Sequence, residues 1–255
     1  MKFDLKKYRK AKQKAIELIK NSHNWETTEG FIADGLISPE IYNKQDLKII
    51  CLLGESYGYD ECKITEIETQ LEKNVLGVGY PSRKTGTKIP ILLWLIYESI
   101  KNHEKIKWDD FPNLMRSNEE NINILQNAIS KSAWINVKKA SRHIEDWGND
   151  ATRQNYNEIY KHSLRNEEVL KVQIESMSPD LMIVCSDPVF NSLYDMGLLG
   201  QGVEQNQKYV LQTNSSGQKV IQVNHPSYFR DWGYKGIYEI FEIIYDGLNS
   251  THNKS

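Results

Sequence analysis

The sequence is poor in cysteine. Its 255 residues include only three cysteines, Cys51, Cys62 and Cys185. An odd number without close pairing argues against a disulfide framework and favours a reducing compartment, so we expect a cytoplasmic protein. Three cysteines are also too few for a metal site built from cysteine alone. We therefore expect no disulfide, no metal and no other cofactor.

The chain also lacks a long hydrophobic run and an excess of basic residues. No segment approaches the roughly 20 apolar residues of a membrane-spanning helix, and the N-terminus is charged throughout, unlike a signal peptide. We expect a soluble protein without a membrane partner. The formal net charge is −2, whereas a dedicated sequence-specific DNA-binding protein is usually much more basic. Any contact with nucleic acid needs a local patch, or an enzyme that touches DNA only briefly.

Hydrophobic patterning predicts an α/β protein. Short apolar runs predict four strands, at 47–53, 133–138, 181–186 and 219–224. Helical spacing of apolar residues predicts helices at 4–20, 89–101, 188–197 and 237–248, with a long helical region that ends before Pro179. This alternation predicts a three-layer α/β/α sandwich around a central, mostly parallel sheet of at least four strands.

The chain divides into three parts in this interpretation. Residues 1–45 form a basic amphipathic helix and a connecting segment, 46–248 form the α/β domain, and 249–255 form a flexible tail. Segment 2–20 holds eight Lys or Arg and two acids. A solvated face and an arm that contacts DNA both explain this charge.

Polar residues follow each predicted strand. Glu55 comes just after the first strand, Asn136 lies near the end of the second, Asp187 follows the third and His225 follows the fourth. In a parallel sheet, ligands bind beyond the carboxyl ends of the strands. We therefore expect two carboxylates, an amide and an imidazole at one edge of the sheet, although Asp187 is also a candidate helix N-cap.

These segments, in this order, resemble the uracil-DNA glycosylase superfamily over about 45–247. GESYGYDE is similar to the first motif of that superfamily, WINVKK to the segment in which an asparagine contacts the base edge, PDLMIVCSD to the third core strand, and NHPSYF to the closing H-P-S motif. The resemblance implies the superfamily's α/β/α fold. It also implies a DNA glycosylase that acts on a base flipped out of DNA, and we expect such an enzyme to be a monomer.

The chain departs from the superfamily in three respects. Tyr57 stands where the first motif usually has proline. Thermophilic branches carry an iron–sulfur cluster on four cysteines, but Cys51 and Cys185 lie inside predicted strands, so we expect no cluster here. The first 45 residues have no counterpart in the family.

Two residues are the catalytic candidates. Hydrolysis of an N-glycosidic bond passes through a state that is positive on the sugar and negative on the departing base. Glu55 is suited to orient a water molecule and face the positive sugar, and His225 to stabilise the base anion. The resemblance implies the same roles. A helix-capping carboxylate and a histidine bonded to backbone are the plain alternatives.

The substrate-binding candidates lie in the motifs. The Asn136 amide can donate and accept one hydrogen bond, as reading a flipped pyrimidine requires. Tyr80 falls where the family places an aromatic ring that stacks on the base. A loop-bonded asparagine and a core or surface tyrosine are the alternatives. The other candidates are Gly54, Tyr57, Gly58 and Ser227.

Gly58 bears on the choice of base. It falls where classical uracil enzymes have a tyrosine that fills the space beside C5 of the pyrimidine. Glycine leaves that space open, and the neighbouring Tyr57 could close it again or turn away. Related branches with glycine at this position can still prefer uracil, so uracil is the default substrate and a C5-modified pyrimidine is the main alternative.

Basic and aromatic residues near two motifs are the candidates for DNA contact. Lys138, Lys139 and Arg142 could neutralise phosphates, and Tyr228 and Phe229 could wedge into the duplex. A solvated basic loop is the plain alternative for the first group. An apolar lead-in to the last helix explains the second.

Two other functions remain open. In a serine esterase of the SGNH type, Ser56 would be the nucleophile and His225 the base. Those enzymes usually have an aspartate three residues before the histidine, where this chain has Gln222. A non-catalytic nucleic-acid-binding protein could also use this fold.

Overall fold

The computed structural model describes residues 3–21, 31–54, 64–66, 85–110, 119–139, 151–226 and 233–250. Its strands are β1 (Phe31–Ala33), β2 (Gly35–Leu36), β3 (Ile49–Leu53), β4 (Ile64–Glu66), β5 (Ala133–Asn136), β6 (Leu181–Cys185), β7 (Leu211–Thr213) and β8 (Lys219–Val223). Its helices are α1 (Leu5–Asn21), α2 (Pro39–Asn43), α3 (Thr85–Asn102), α4 (Glu119–Ser130), α5 (Ala151–Arg165), α6 (Glu167–Met177), α7 (Asp187–Asp195) and α8 (Tyr234–Asn249).

A six-stranded sheet forms the centre of the molecule. Its order is β2-β5-β3-β6-β8-β7. The four inner strands are parallel, and the edge strands β2 and β7 are antiparallel to their neighbours. The inner strands are the four predicted from apolar runs, so that prediction is confirmed. Strands β1 and β4 form a separate parallel pair.

Helices cover both faces of this sheet. Ile49, Cys51 and Leu53 of β3 belong to a core with residues of α3, α4 and α8, the first core. The alternate residues Ile50 and Leu52 belong to a second core with residues of α6 and α7 and the start of the chain. Every residue of β3 and β6 is buried because neither face of the inner strands meets solvent. The predicted three-layer sandwich is therefore confirmed.

The helical region before Pro179 is divided into two helices. Asn166 separates α5 from α6 with a non-helical backbone (φ −99°, ψ 15°). Helix α6 ends where Ser178 adopts the left-handed conformation (φ 46°, ψ 59°). Proline at position 179 cannot continue a helix, which is why the sequence predicted this end.

The described part of the segment 1–45 packs on the rest of the sandwich. Ala15 and Ile19 of α1 form a small buried cluster with Val169 of α6. The hydroxyl of Tyr8 accepts a hydrogen bond from the backbone N–H of Leu36 at 3.1 Å. This segment therefore supplies both an outer helix and the edge strand β2. Residues 251–255 of the predicted tail lie outside the described residues.

The polar segment 200–218 contains a hairpin strand. Strand β7 pairs with β8 through a turn at Ser215, Ser216 and Gly217, where Gly217 has φ 82°. No helix in the described part of the chain is long and apolar enough to cross a membrane.

Candidate functional site

The carboxyl ends of the four inner strands lie side by side. Leu53 is the register partner of Asn136, and Cys185 is the partner of Val223. The pairing continues beyond the strands, because the N–H of Lys138 donates to the carbonyl of Gly54 at 2.9 Å. The segments that follow β3, β5, β6 and β8 therefore leave the sheet at one edge, as predicted.

The strand order reverses between β3 and β6. After β3 the chain passes to β5 on one side, and it then returns to β6 on the other side. Such a point leaves a crevice at the carboxyl ends, where ligands of parallel α/β sheets bind. Gly54 and Ser186 follow the two strands that flank it. A Cβ on Gly54 would lie 3.0 Å from Cδ1 of Ile159 in α5, so a larger residue here would require that side chain to shift.

Asn136 is held at the end of β5 by a buried carboxylate. Asn136 is 5% exposed, and its backbone N–H donates to Oδ2 of Asp34 at 2.5 Å. Its register partner Leu53 belongs to the first core, so the Asn136 side chain lies on that face of the sheet. Within the described residues its amide makes no hydrogen bond. The amide is therefore not engaged by another described residue.

The two lysines after Asn136 do not fit the predicted contact with phosphates. Lys139 is 1% exposed, and its Nζ lies 2.6 Å from Oδ1 of Asp34. Burial lowers the pKa of Lys139, and the Asp34 carboxylate opposes that shift. Lys138 is also buried, at 3% exposure. A lysine that binds a phosphate needs an accessible ammonium group, so the prediction is wrong for Lys139, and Lys138 is not presented at the surface.

His225 follows β8 and is half-buried. The next residue, Pro226, is buried, and its carbonyl accepts a hydrogen bond from Nζ of Lys88 at 2.6 Å. Lys88 comes from the first turn of α3 and is 5% exposed. Burial lowers the pKa of Lys88. A buried ammonium group thus ties the start of α3 to the segment that carries His225.

Asn136 and His225 lie on opposite sides of the crevice. Three strand-to-strand steps separate β5 from β8. At about 4.8 Å for each step, the strands that carry the two residues are roughly 14 Å apart. The arrangement suits a ligand larger than a single functional group.

A second polar cluster lies at the start of α7. Oδ1 of Asp187 accepts hydrogen bonds from Nζ of Lys208 at 2.6 Å and from Nε2 of Gln222 at 2.9 Å. The predicted N-cap role of Asp187 is wrong, because Ser186 occupies that position. Ser186 has φ 105°, a value that favours glycine. Within the described residues, Oγ of Ser186 and Oε1 of Gln222 are buried without a hydrogen-bond partner.

Several predicted site residues lie outside the described residues. They are Glu55, Ser56, Tyr57, Gly58, Tyr80, Arg142, Ser227, Tyr228 and Phe229. The described neighbours Gly54 and Pro226 bring the first and last motifs to the same edge of the sheet. Among the described residues, no group of three or more His, Cys, Asp or Glu side chains could hold a metal ion.

Two buried charges at this edge, Asp34 and Lys88, were not predicted from the sequence. Lys88 had a detectable signal, since it is the one charge at the start of the apolar run KIPILLWLIY. Asp34 had none, because its partners are 102 and 105 residues away in sequence.

Comparison with protein-family models finds no family that matches the chain, and comparison with curated proteins finds no matching relative. The fold and the strand-end geometry therefore define a class of architecture, a three-layer α/β/α sandwich with a crevice at the carboxyl edge of its sheet.

Proposed function

We propose that the chain is a DNA glycosylase of the uracil-DNA glycosylase superfamily. It hydrolyses the N-glycosidic bond of uracil or a C5-modified pyrimidine that is flipped out of DNA. Glu55 orients the attacking water molecule and faces the positive charge on the sugar. His225 stabilises the departing base anion, and Asn136 reads the base edge.

One observation carries this proposal. Gly54, Asn136 and Pro226, each within one of the motifs that resemble the superfamily, lie at the carboxyl ends of the parallel inner strands of one sheet. The chemistry needs a carboxylate at the sugar, an amide at the base edge and a donor at the base oxygen. Three strand ends at one edge of the sheet offer positions for these groups from separate segments.

The described geometry gives the esterase less support. A serine hydrolase needs a group that orients its histidine, usually a carboxylate. Gln222, three residues before His225, is a buried amide that donates to Asp187. It is not a carboxylate, and its Nε2 is already engaged.

The open position at Gly58 makes tolerance of a C5 substituent part of the proposal, with uracil as the default base. We place the enzyme in the cytoplasm and expect it to act as a monomer. The two described cysteines, Cys51 and Cys185, are unpaired and buried in the sheet, which fits a reducing compartment.

The direct test measures abasic sites. The full chain is incubated with matched oligonucleotides that carry uracil, 5-hydroxymethyluracil or glucosylated hydroxymethylcytosine, and strands are then cleaved with alkali. Cleavage at one modified position supports a glycosylase. DNA binding without cleavage on any substrate points to a non-catalytic protein, and labelling of Ser56 by a serine-reactive phosphonate points to an esterase.

A further inference from the structure

Positive charge is concentrated in helix α1. Its 17 residues contain seven Lys or Arg and one acid, Glu17. The rest of the chain contains 25 Lys or Arg and 33 Asp or Glu. A weakly acidic protein thus carries one strongly basic helix.

The basic residues of α1 form a stripe on its outer surface. Lys6, Lys10 and Lys14 are exposed and lie four residues apart, so they follow one another along one side of the helix. Lys14 lies 3.5 Å from Glu168, with both side chains more than half exposed. Within the described residues, no ion pair involves Lys6 or Lys10. Like charges at this spacing repel, and a surface helix usually relieves that repulsion with interspersed acids.

The opposite side of α1 is already occupied. Tyr8, Ala15 and Ile19 are each 2% exposed, and they pack in the second core and against α6. An amphipathic helix that lies in a membrane surface inserts its apolar side among the lipids. In α1 that side is buried in the protein, so only the charged side can meet a partner.

We propose that the stripe Lys6, Lys10 and Lys14 is a docking surface for the phosphate backbone of double-stranded DNA. The choice of DNA as the polyanion rests on the proposed function. The existence of the basic surface rests only on the charge and exposure of α1. The stripe is about 12 Å long, which matches roughly three phosphates of one strand. Such contacts add affinity without reading sequence, and they hold DNA while the strand-end site searches for its base.

The test compares three triple variants of the full chain on an unmodified 20-base-pair duplex. One variant changes Lys6, Lys10 and Lys14 to Gln, and a second changes them to Arg. The matched control changes three lysines away from α1, Lys101, Lys107 and Lys219, to Gln. Dissociation constants are measured between 50 and 200 mM salt, and thermal melting verifies that each variant is folded.

We expect the first variant to bind about tenfold or more weakly at 50 mM salt. The slope of log affinity against log salt should become shallower by up to about 2.7, because three phosphate contacts are lost. The Arg variant and the control should retain both values. An unchanged slope in the folded Gln variant overturns the proposal. Binding to phosphatidylserine vesicles, with none to the duplex, also overturns it.

The outcome is independent of base excision, since the duplex contains no substrate base. Loss of duplex binding in the Gln variant, with no abasic site on any oligonucleotide, supports the surface and contradicts the glycosylase. Excision that persists in the Gln variant, together with an unchanged salt slope, supports the glycosylase and contradicts the docking surface.

Discussion

The carboxylate of Asp34 bonds to both the backbone of Asn136 and the ammonium group of Lys139. Oδ2 accepts a hydrogen bond from the N–H of Asn136 at 2.5 Å, and Oδ1 accepts one from Nζ of Lys139 at 2.6 Å. Gln173 also donates to Oδ1, at 3.0 Å. The Asp34 and Lys139 side chains are 0% and 1% exposed. The surface pair Arg9–Glu40 has nearly the same separation, 2.7 Å, but its side chains are 66% and 55% exposed.

Burial, rather than distance, should therefore decide what each pair contributes. We expect Asp34→Asn to lower the free energy of unfolding by about 3–5 kcal/mol, because it leaves a buried ammonium group without its carboxylate. Glu40→Gln should cost under about 1 kcal/mol. Adding Lys139→Met to Asp34→Asn should recover part of the loss. Urea unfolding of Asp34→Asn, of Lys139→Met and of the double variant measures the coupling between the two residues. Strictly additive losses would contradict the predicted coupling.

The hydrogen bond from Lys88 to Pro226 predicts an effect on the chemical step. Lys88→Met removes the donor that holds the segment of His225, so the excision rate constant should fall about tenfold with DNA affinity unchanged. Because burial lowers the pKa of Lys88, the ammonium group loses its proton at a lower pH than an ordinary lysine does. The activity of the wild type should therefore decline at that lower pH. The Met variant should lack that decline.

The matched control for this variant is Lys131→Met. It removes another partly buried lysine, 18% exposed and 3.6 Å from Glu98, away from the strand ends. Its excision rate and pH profile should match the wild type. Equal profiles for Lys88→Met and the wild type would assign Lys88 a purely structural role.

The sequence predicted the inner sheet well because local pattern determines it. Runs such as IICLL and LMIVC can be buried only in strands covered on both faces, and both lie within one or two residues of the predicted bounds. The edge strands β2 and β7 were not predicted as strands because they have only two and three residues, although the turn at Ser215, Ser216 and Gly217 indicated a loop or hairpin. Such short strands show no period-two pattern. The pairing of β2 with β5 also depends on contacts distant in sequence, whereas β7 pairs with β8 through a local hairpin turn.

The candidate site was less predictable because it depends on which charges become buried. The run Lys138–Lys139 looks like a solvated or DNA-binding patch in the sequence. Nothing local shows that Asp34, 105 residues earlier, will meet Lys139 in the interior. The position of His225 was easier to predict, since an apolar strand directly precedes it.

The backbone at Ser186 predicts a stabilising substitution. With φ 105° and a buried Oγ that has no partner among the described residues, Ser186→Gly should relieve strain and raise the free energy of unfolding by about 1 kcal/mol. The control Ser250→Gly lies at φ −64° and should give no gain. Denaturant midpoints measure both. A destabilised Ser186→Gly would mean that the side chain makes a favourable contact.

The two buried thiols predict how stability depends on pH. Burial raises the pKa of Cys51 and of Cys185 above the ordinary value of 9.0. The folded state therefore keeps protons that the unfolded state releases, so their contribution is complete below about pH 9 and is lost as the pH rises further. Above about pH 9, the free energy of unfolding should fall by up to about 1.4 kcal/mol per pH unit for each thiol.

Urea unfolding between pH 7 and pH 10.5 tests this with the double variant Cys51→Ala/Cys185→Ala. The variant should be less stable at pH 7 because its core loses two sulfur atoms. The difference from the wild type should then shrink as the pH rises. The tyrosines and lysines that also titrate are common to both proteins and cancel in the difference. Parallel curves would show that the thiols do not titrate differently on unfolding.

The proposed roles of Glu55 and His225 predict losses confined to the chemical step. Glu55→Gln should reduce single-turnover excision far more than DNA binding, because the lost charge acts mainly in the transition state. His225→Asn should slow excision by roughly ten to a thousand times, the usual effect of losing one oxyanion-type donor. The exposed residues Glu104 and His103 supply the matched controls Glu104→Gln and His103→Asn, which should be fully active. Activity should also persist in EDTA. Full activity in either test variant would remove that residue from the mechanism, and equal losses of binding and rate would assign it to DNA binding instead.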